Sequence, residues 1–258
     1  MATGIVPPAR TAYGVVGRPA LRVDVTDGGR ERVLAAISSI SVRGAAYIAG
    51  SLLVGMIARE YARAFVATRL HDPTPRLWGR LTWNPRSWFD PFGSALVPGL
   101  ILVLWAAASG LYPPPAAYGK PAPVDPAYLR RPTRDQLLIG FAGPCTNVVL
   151  GVIAGLSLRL VSGPGAFTVI TILVIFEFTQ FCLAIFHLLP IPGLDGARLV
   201  GLALPPDAAR VYRDADKYLP LFVLLAMFVL GGVINGIVYA LVDVLCQGAS
   251  GVTCAPPH

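Results

Sequence analysis

Charge is scarce in this sequence. Asp, Glu, Lys and Arg make up 14% of its 258 residues, against about 25% in an ordinary soluble domain. That excludes a disordered chain and a coiled coil, and it argues against a soluble enzyme. Cysteine is also scarce, at four residues (Cys145, Cys182, Cys246 and Cys254), and no two of them form a CxxC pair. A disulfide framework is therefore not expected. Cys145 and Cys246 read as buried thiols, small hydrophobes in or beside apolar segments. Histidine occurs three times, at His71, His187 and His258. The first residues contain no continuous apolar stretch of the signal-peptide kind, so insertion into a membrane is expected to rest on a later internal segment.

What is abundant is apolar. Hydrophobic residues make up 55% of the chain, and the mean hydropathy is +0.64. The expected fold class is an all-α membrane protein, a polytopic helical bundle of about five segments at roughly 20 residues each. The net charge of +7 suits positive loops beside anionic lipid. No aromatic-interleaved basic stretch points to nucleic acid. Residues 1–43, with six arginines, read as a loosely structured tail with a short strand at 21–25. Residues 44–246 read as the transmembrane domain and 247–258 as a C-terminal tail. Apolar helices are expected at 45–70, 136–161, 167–189 and 219–245, with a short amphipathic helix at 206–218. The stretch 71–91 reads as loop or hairpin. Segment 93–111 is broken by Pro98 and Gly99, and 112–134 is too rich in proline for regular helix.

Ionisable residues inside apolar helices stand out, because a charge at a helix centre costs about 2.5–3.5 kcal/mol on insertion scales. They are Arg59, Glu60 and Arg63 on the first helix, Glu177 on the fourth segment, Asp195 just after it and Asp243 on the last. Arg159, near a helix end, can reach water. Glu177, Gln180 and His187 fall at i, i+3 and i+10, a polar stripe on one helical face. The stripe reads either as an ion-pair and packing feature or as a proton or ion pathway.

Three separated motifs carry a resemblance. They are Arg59-Glu60-Tyr61-Ala62-Arg63, then Ala142-Gly143-Pro144-Cys145-Thr146-Asn147, then His187-Leu188-Leu189-Pro190-Ile191-Pro192-Gly193-Leu194-Asp195-Gly196. In that order and spacing, with the segment at 120–126 (KPAPVDP), they resemble the site-2 protease family of intramembrane zinc metalloproteases, of the compact bacterial type. The resemblance spans about residues 45–245. It implies a site-2-protease-like core with the motif side facing the cytoplasm of a bacterial plasma membrane. Loop charge does not set orientation by itself, since 69–93, 112–136 and 190–217 each carry four Lys or Arg. For the first motif and Asp195 to meet, their helices must run parallel, so 93–111 is expected to be re-entrant or otherwise not to cross.

The family has His-Glu-x-x-His where this chain has Arg59, Glu60 and Arg63. The family's two histidines and distal aspartate bind zinc, and its glutamate activates the bound water. Arginine has no lone pair to give a metal. Glu60 is then a vestigial general base, and Arg59, Arg63 and Asp195 are former metal-site positions. The two guanidinium groups can supply the charge of the missing ion, one pairing with Asp195 and the other with Glu60 or Glu177. The resemblance further assigns Asn147, Pro190 and Pro192 to a groove for a substrate or partner chain. Asn147 alternatively makes an interhelical hydrogen bond.

The resulting expectation is a binding, scaffold or regulatory protein for a membrane-protein or transmembrane-helix partner, without cofactor. One alternative is an active intramembrane metalloendopeptidase with zinc on displaced ligands, Glu60, His187 and Asp195. The other is an ion or proton pathway along Glu177, Gln180 and His187.

Overall fold

The computed structural model describes residues 42–106, 114–161, 166–229, 231–252 and 254. The expected tail and strand before residue 42 lie outside these. The described residues hold helices, turns and extended segments, and no strand, so of the loop or hairpin expected at 71–91 it is the loop that forms. That stretch is a one-turn helix, Thr74–Leu77, and a 3-10 turn, Pro85–Ser87, each started by proline, whose missing amide costs nothing in a first turn.

The α-helices of more than one turn among the described residues are α1 (Val42–Arg69), α2 (Val97–Ala106), α3 (Pro132–Leu158), α4 (Phe167–Leu188), α5 (Ala197–Ala203), α6 (Pro206–Asp214), α7 (Leu219–Val229) and α8 (Gly231–Ala249). Of these, α3 and α4 are long and apolar enough to cross a membrane. α1 has the length but carries four charges in its second half, Arg59, Glu60, Arg63 and Arg69.

Pro98 and Gly99 do not break their segment. The backbone widens to π spacing over Pro91–Leu96 and continues as α2. Pro98, which has no amide to donate, enters where the hydrogen-bond spacing changes. Asp90 caps this turn by accepting from the amides of Phe92 and Gly93. α3 begins four residues before the expected 136. Pro132 stands at its start, and Asp135 accepts the Arg131 amide at 2.9 Å.

The core is the triad α1, α3 and α4. α4 packs along α3, α1 packs on both, and α8 lies against α3 and α4. Phe178, Phe181, Leu183 and Val242 are fully buried between them. Small residues let α3 approach its neighbours closely. A methyl added at Gly143 would sit 2.8 Å from Cγ of Arg59, so the arginine stem lies directly on the α3 backbone.

One expectation about cysteine is corrected. Cys246 is disulfide-bonded to Cys254, and Cys145 is exposed; of the two remaining thiols only Cys182 is buried. Past the end of α8 the chain turns back at Gly251, whose φ of +79° suits glycine, and returns Cys254 to the helix.

Candidate functional site

Four charges meet where α1 faces the turn after α4. Arg59 donates from one terminal nitrogen to Glu60 and from the other to Asp195. Arg63, one helical turn on, lies 3.2 Å from Glu60 Oε2 and 3.5 Å from Asp195 Oδ1. Arg59, Glu60, Arg63 and Asp195 are all at least nine-tenths buried. Two cations and two anions balance in a buried site, and their mutual attraction offsets much of the cost of burial.

The backbone builds this geometry. Residues three and four apart on α1 share a face, which aligns Arg59, Glu60 and Arg63. Asp195 is presented by the turn between α4 and α5. In that turn Gly193 has a φ of +90°, and the Gly196 amide donates to the His187 carbonyl at 2.9 Å. Burial works to raise the pKa of Asp195, but Arg59 and Arg63 hold it down at about 2. Arg198, on α5, is pushed below the ordinary arginine value by burial and by repulsion from Arg63, with Asp195 and Asp216 working the other way.

The extended segment before α3 completes the site. Tyr118 and Lys120 donate their amides to the carbonyls of Gly93 and Trp88. The Ala122 amide donates to Glu60 Oε2 at 3.1 Å. Asp125 donates its amide to the buried carboxylate of Asp72 at 2.9 Å, and Asp72 also accepts from Thr74. Glu60 therefore accepts from two arginines and a main-chain amide. Neither Ala122 nor Asp72 stood out in the sequence. A main-chain donor leaves no trace in residue type, and an Asp before Pro reads only as a turn.

The polar stripe of α4 faces three different surroundings. His187 is buried beside the cluster, its Nδ1 2.9 Å from the Leu183 carbonyl, which leaves Nε2 without a partner. Gln180 donates to the Ser51 carbonyl of α1 at 2.9 Å. Glu177 sits near Gly155 of α3, beside Cys246 and Cys254. It takes no part in the arginine cluster. Asp243, the remaining charge on α8, accepts the Cys254 amide at 2.8 Å.

Two cavities flank the cluster. One, of about 450 Å³, is bounded by Arg59, Glu60, Tyr118, His187 and Lys217. The other, of about 290 Å³, is bounded by Arg63, Gln136, Asp195, Arg198 and Tyr212. Asn147, Pro190 and Pro192 line neither. Asn147 is fully buried and its amide group has no hydrogen-bond partner, so the interhelical bond expected of it is not made. Pro190 is exposed, and its carbonyl accepts from the Tyr212 hydroxyl at 2.7 Å.

Two residues a helical turn apart on one helix, a carboxylate between them and an aspartate from a Pro-Gly-Leu-Asp-Gly turn meet at the positions that the resemblance assigns to a metalloprotease site. The curated relatives agree. The chain is 31% identical over 190 residues to "Putative zinc metalloprotease YwhC" of Bacillus subtilis, covering 71% of this chain and 80% of that protein. It is 29% identical over 196 residues to Rip2 of Mycobacterium tuberculosis, covering 74% and 71%, and 27% identical over 191 residues to Rip2 of Mycolicibacterium smegmatis, covering 72% and 70%; both Rip2 proteins carry the same description. No family model and no solved structure matches the chain. The chain belongs to the site-2 protease family.

The relatives' names point to zinc, and the donors at this position do not fit it. The two residues in histidine positions offer only N–H groups, and both are already ion-paired with the carboxylates that remain. The ligand atoms of Glu60, His187 and Asp195 do not gather within 4.8 Å of one another. Among the described residues one trio does, Glu177 with Cys246 and Cys254.

Proposed function

We propose that this chain is a non-catalytic member of the site-2 protease family. It is an integral protein of a bacterial plasma membrane that uses the family's helical core to bind a transmembrane segment of a membrane-protein partner. Its role is that of a scaffold or regulator. The observation that carries this reading is the commitment of both guanidinium groups to Glu60 and Asp195. The charge a divalent ion would bring is supplied by arginine, whose planar fork suits carboxylates. Glu60 is the remnant of the general base, and its oxygens are taken up by Arg59, Arg63 and the Ala122 amide. The two apolar helices α3 and α4 and the membrane-type family support the location.

The two cavities beside the cluster offer room for part of a partner chain, walled by charged and polar groups as well as apolar ones. A partner backbone unwound at its helix end needs donors and acceptors at this depth, because lipid supplies none.

The test is the metal content of the detergent-solubilised protein, expressed with zinc and purified without chelator, beside Glu60→Ala and Asp195→Ala. With the Cys246–Cys254 disulfide kept intact, zinc at background in all three is the expected result. About one zinc per chain, lost in both variants, would return the protein to the working metalloproteases that its relatives' names describe.

A further inference from the structure

The second half of α4 serves the arginine cluster. Its first half holds a different group of residues. Glu177 is fully buried, as are Cys246 and Cys254, and one ligand atom from each lies within 4.8 Å of the others. The Ser250 side chain comes within hydrogen-bonding approach of Glu177 and Arg159 attracts it electrostatically, yet neither carboxylate oxygen accepts a hydrogen bond of good geometry. The Ser250 hydroxyl is turned to the Cys246 carbonyl at 2.9 Å, and Arg159 donates to the Gly248 carbonyl at 3.3 Å. A buried carboxylate left this way is costly unless it is neutralised or given a cation.

The surroundings are built to hold these groups in place. Gly155 leaves the space that Glu177 fills, since a methyl there would collide with the carboxylate. The turn that returns Cys254 is fixed by contacts other than the disulfide. The amides of Ser250 and Gly251 donate to the Cys246 carbonyl at 2.8 and 3.1 Å, and the Cys254 amide donates to Asp243 at 2.8 Å. These contacts hold the backbone of Cys254 against α8 independently of the S–S bond.

We propose that Glu177, Cys246 and Cys254 form a site for a thiophilic divalent cation of the zinc or cadmium kind, available when the two cysteines are in the dithiol form. A dithiol reductant delivers two electrons and two protons, the S–S bond opens to two thiols, and the reductant becomes a disulfide. The cation then displaces both thiol protons. Two thiolates and one carboxylate are a donor set that zinc accepts, with one position left for water. Three anionic ligands around a divalent ion leave one negative charge, and Arg159 offsets it. The site is separate from the arginine cluster and does not depend on the function proposed above.

The experiment uses the full chain in detergent with Cys145→Ser, which removes the exposed thiol. Samples are kept oxidised or reduced with dithiothreitol and desalted without oxygen, then titrated with Cd²⁺. The readout is the ultraviolet charge-transfer absorption of cadmium thiolate. The reduced protein is expected to take one Cd²⁺ per chain with this band, and the oxidised protein none. Cys254→Ser should abolish the band, and Glu177→Gln should weaken binding by at least about tenfold. No band in the reduced protein would overturn the site, as would Glu177→Gln binding as tightly as its parent. If Cys254→Ser fails to fold, the oxidised and reduced parent and Glu177→Gln still decide.

Discussion

Arg59 holds Glu60 with one terminal nitrogen and, with the other, reaches Asp195, 136 positions away in the sequence. One guanidinium thus ties α1 to the turn that closes α4. Removing the distant partner leaves both Arg59 and Arg63 short of a counter-charge in a buried site. Asp195→Ala is expected to destabilise the protein by about 3–5 kcal/mol, the usual cost of breaking a buried pair from one side. Arg59→Met combined with Asp195→Ala should recover part of that loss, because the cost lies in the stranded charge, and Arg59→Met alone completes the set. Unfolding midpoints of the single and double variants, read as a double-mutant cycle, check the coupling.

Acid should act through the same residue. The Asp195 pKa is lowered from 3.8 to about 2 in the folded protein. A carboxylate with a depressed folded pKa stabilises fully above its unfolded value, and that contribution disappears as pH falls through the folded value. The cluster's share of stability should therefore be constant above pH 3.8 and drain away between pH 3.8 and about 2. Asp216, raised by burial, works in the opposite direction as pH rises. Thermal unfolding followed across this range should show an acid limb that shrinks in Asp195→Asn.

Putting back the family's ligands tests the arginine substitution directly. Arg59→His with Arg63→His sets two imidazoles one turn apart, facing Asp195, with Glu60 between them. That donor set matches a catalytic zinc site of three protein ligands. The double variant is expected to purify with about one zinc per chain. Elemental mass spectrometry reads the result, and a double variant that stays at background would mean that the frame around the ligands has also changed.

The cluster's members announce themselves as charges in apolar runs, and arginine's lack of a lone pair follows from residue type alone. The helices were legible because each long apolar run has a stop: Pro190 after α4, prolines 113–115 beyond α2. Boundaries were less so. Pro132 reads as a breaker until its place at the first helical position is known. Pro98 reads as a break until the π turn before it is seen. The Cys246–Cys254 bond depends on the return at Gly251, a backbone feature that the spacing of the two cysteines does not reveal. The groove assigned to Asn147, Pro190 and Pro192 came from family likeness, and these residues line neither of the two cavities beside the cluster.

Glycine in α3 gives the sharpest contrast between local propensity and packing. Replacing a helical glycine by alanine ordinarily gains up to about 1 kcal/mol. Gly236 of α8 has nothing within 4 Å of where a methyl would go, so Gly236→Ala should show that gain. At Gly143 the methyl would lie 2.8 Å from Cγ and 3.1 Å from Nε of Arg59, and 3.3 Å from Cδ of Arg63. The neighbour is the stem of an arginine whose head is held by two carboxylates, so it cannot swing aside without loosening the ion pairs. Overpacking of this kind costs about 1–3 kcal/mol, which outweighs the propensity term. Gly143→Ala should therefore lower the unfolding midpoint while Gly236→Ala raises it. The two changes are chemically identical, so a difference in sign isolates the approach of Arg59 to the α3 backbone. If Gly143→Ala were as stable as Gly236→Ala, the cluster would have to tolerate displacement of Arg59, and the tight pairing with Asp195 would not be what holds α1 in place.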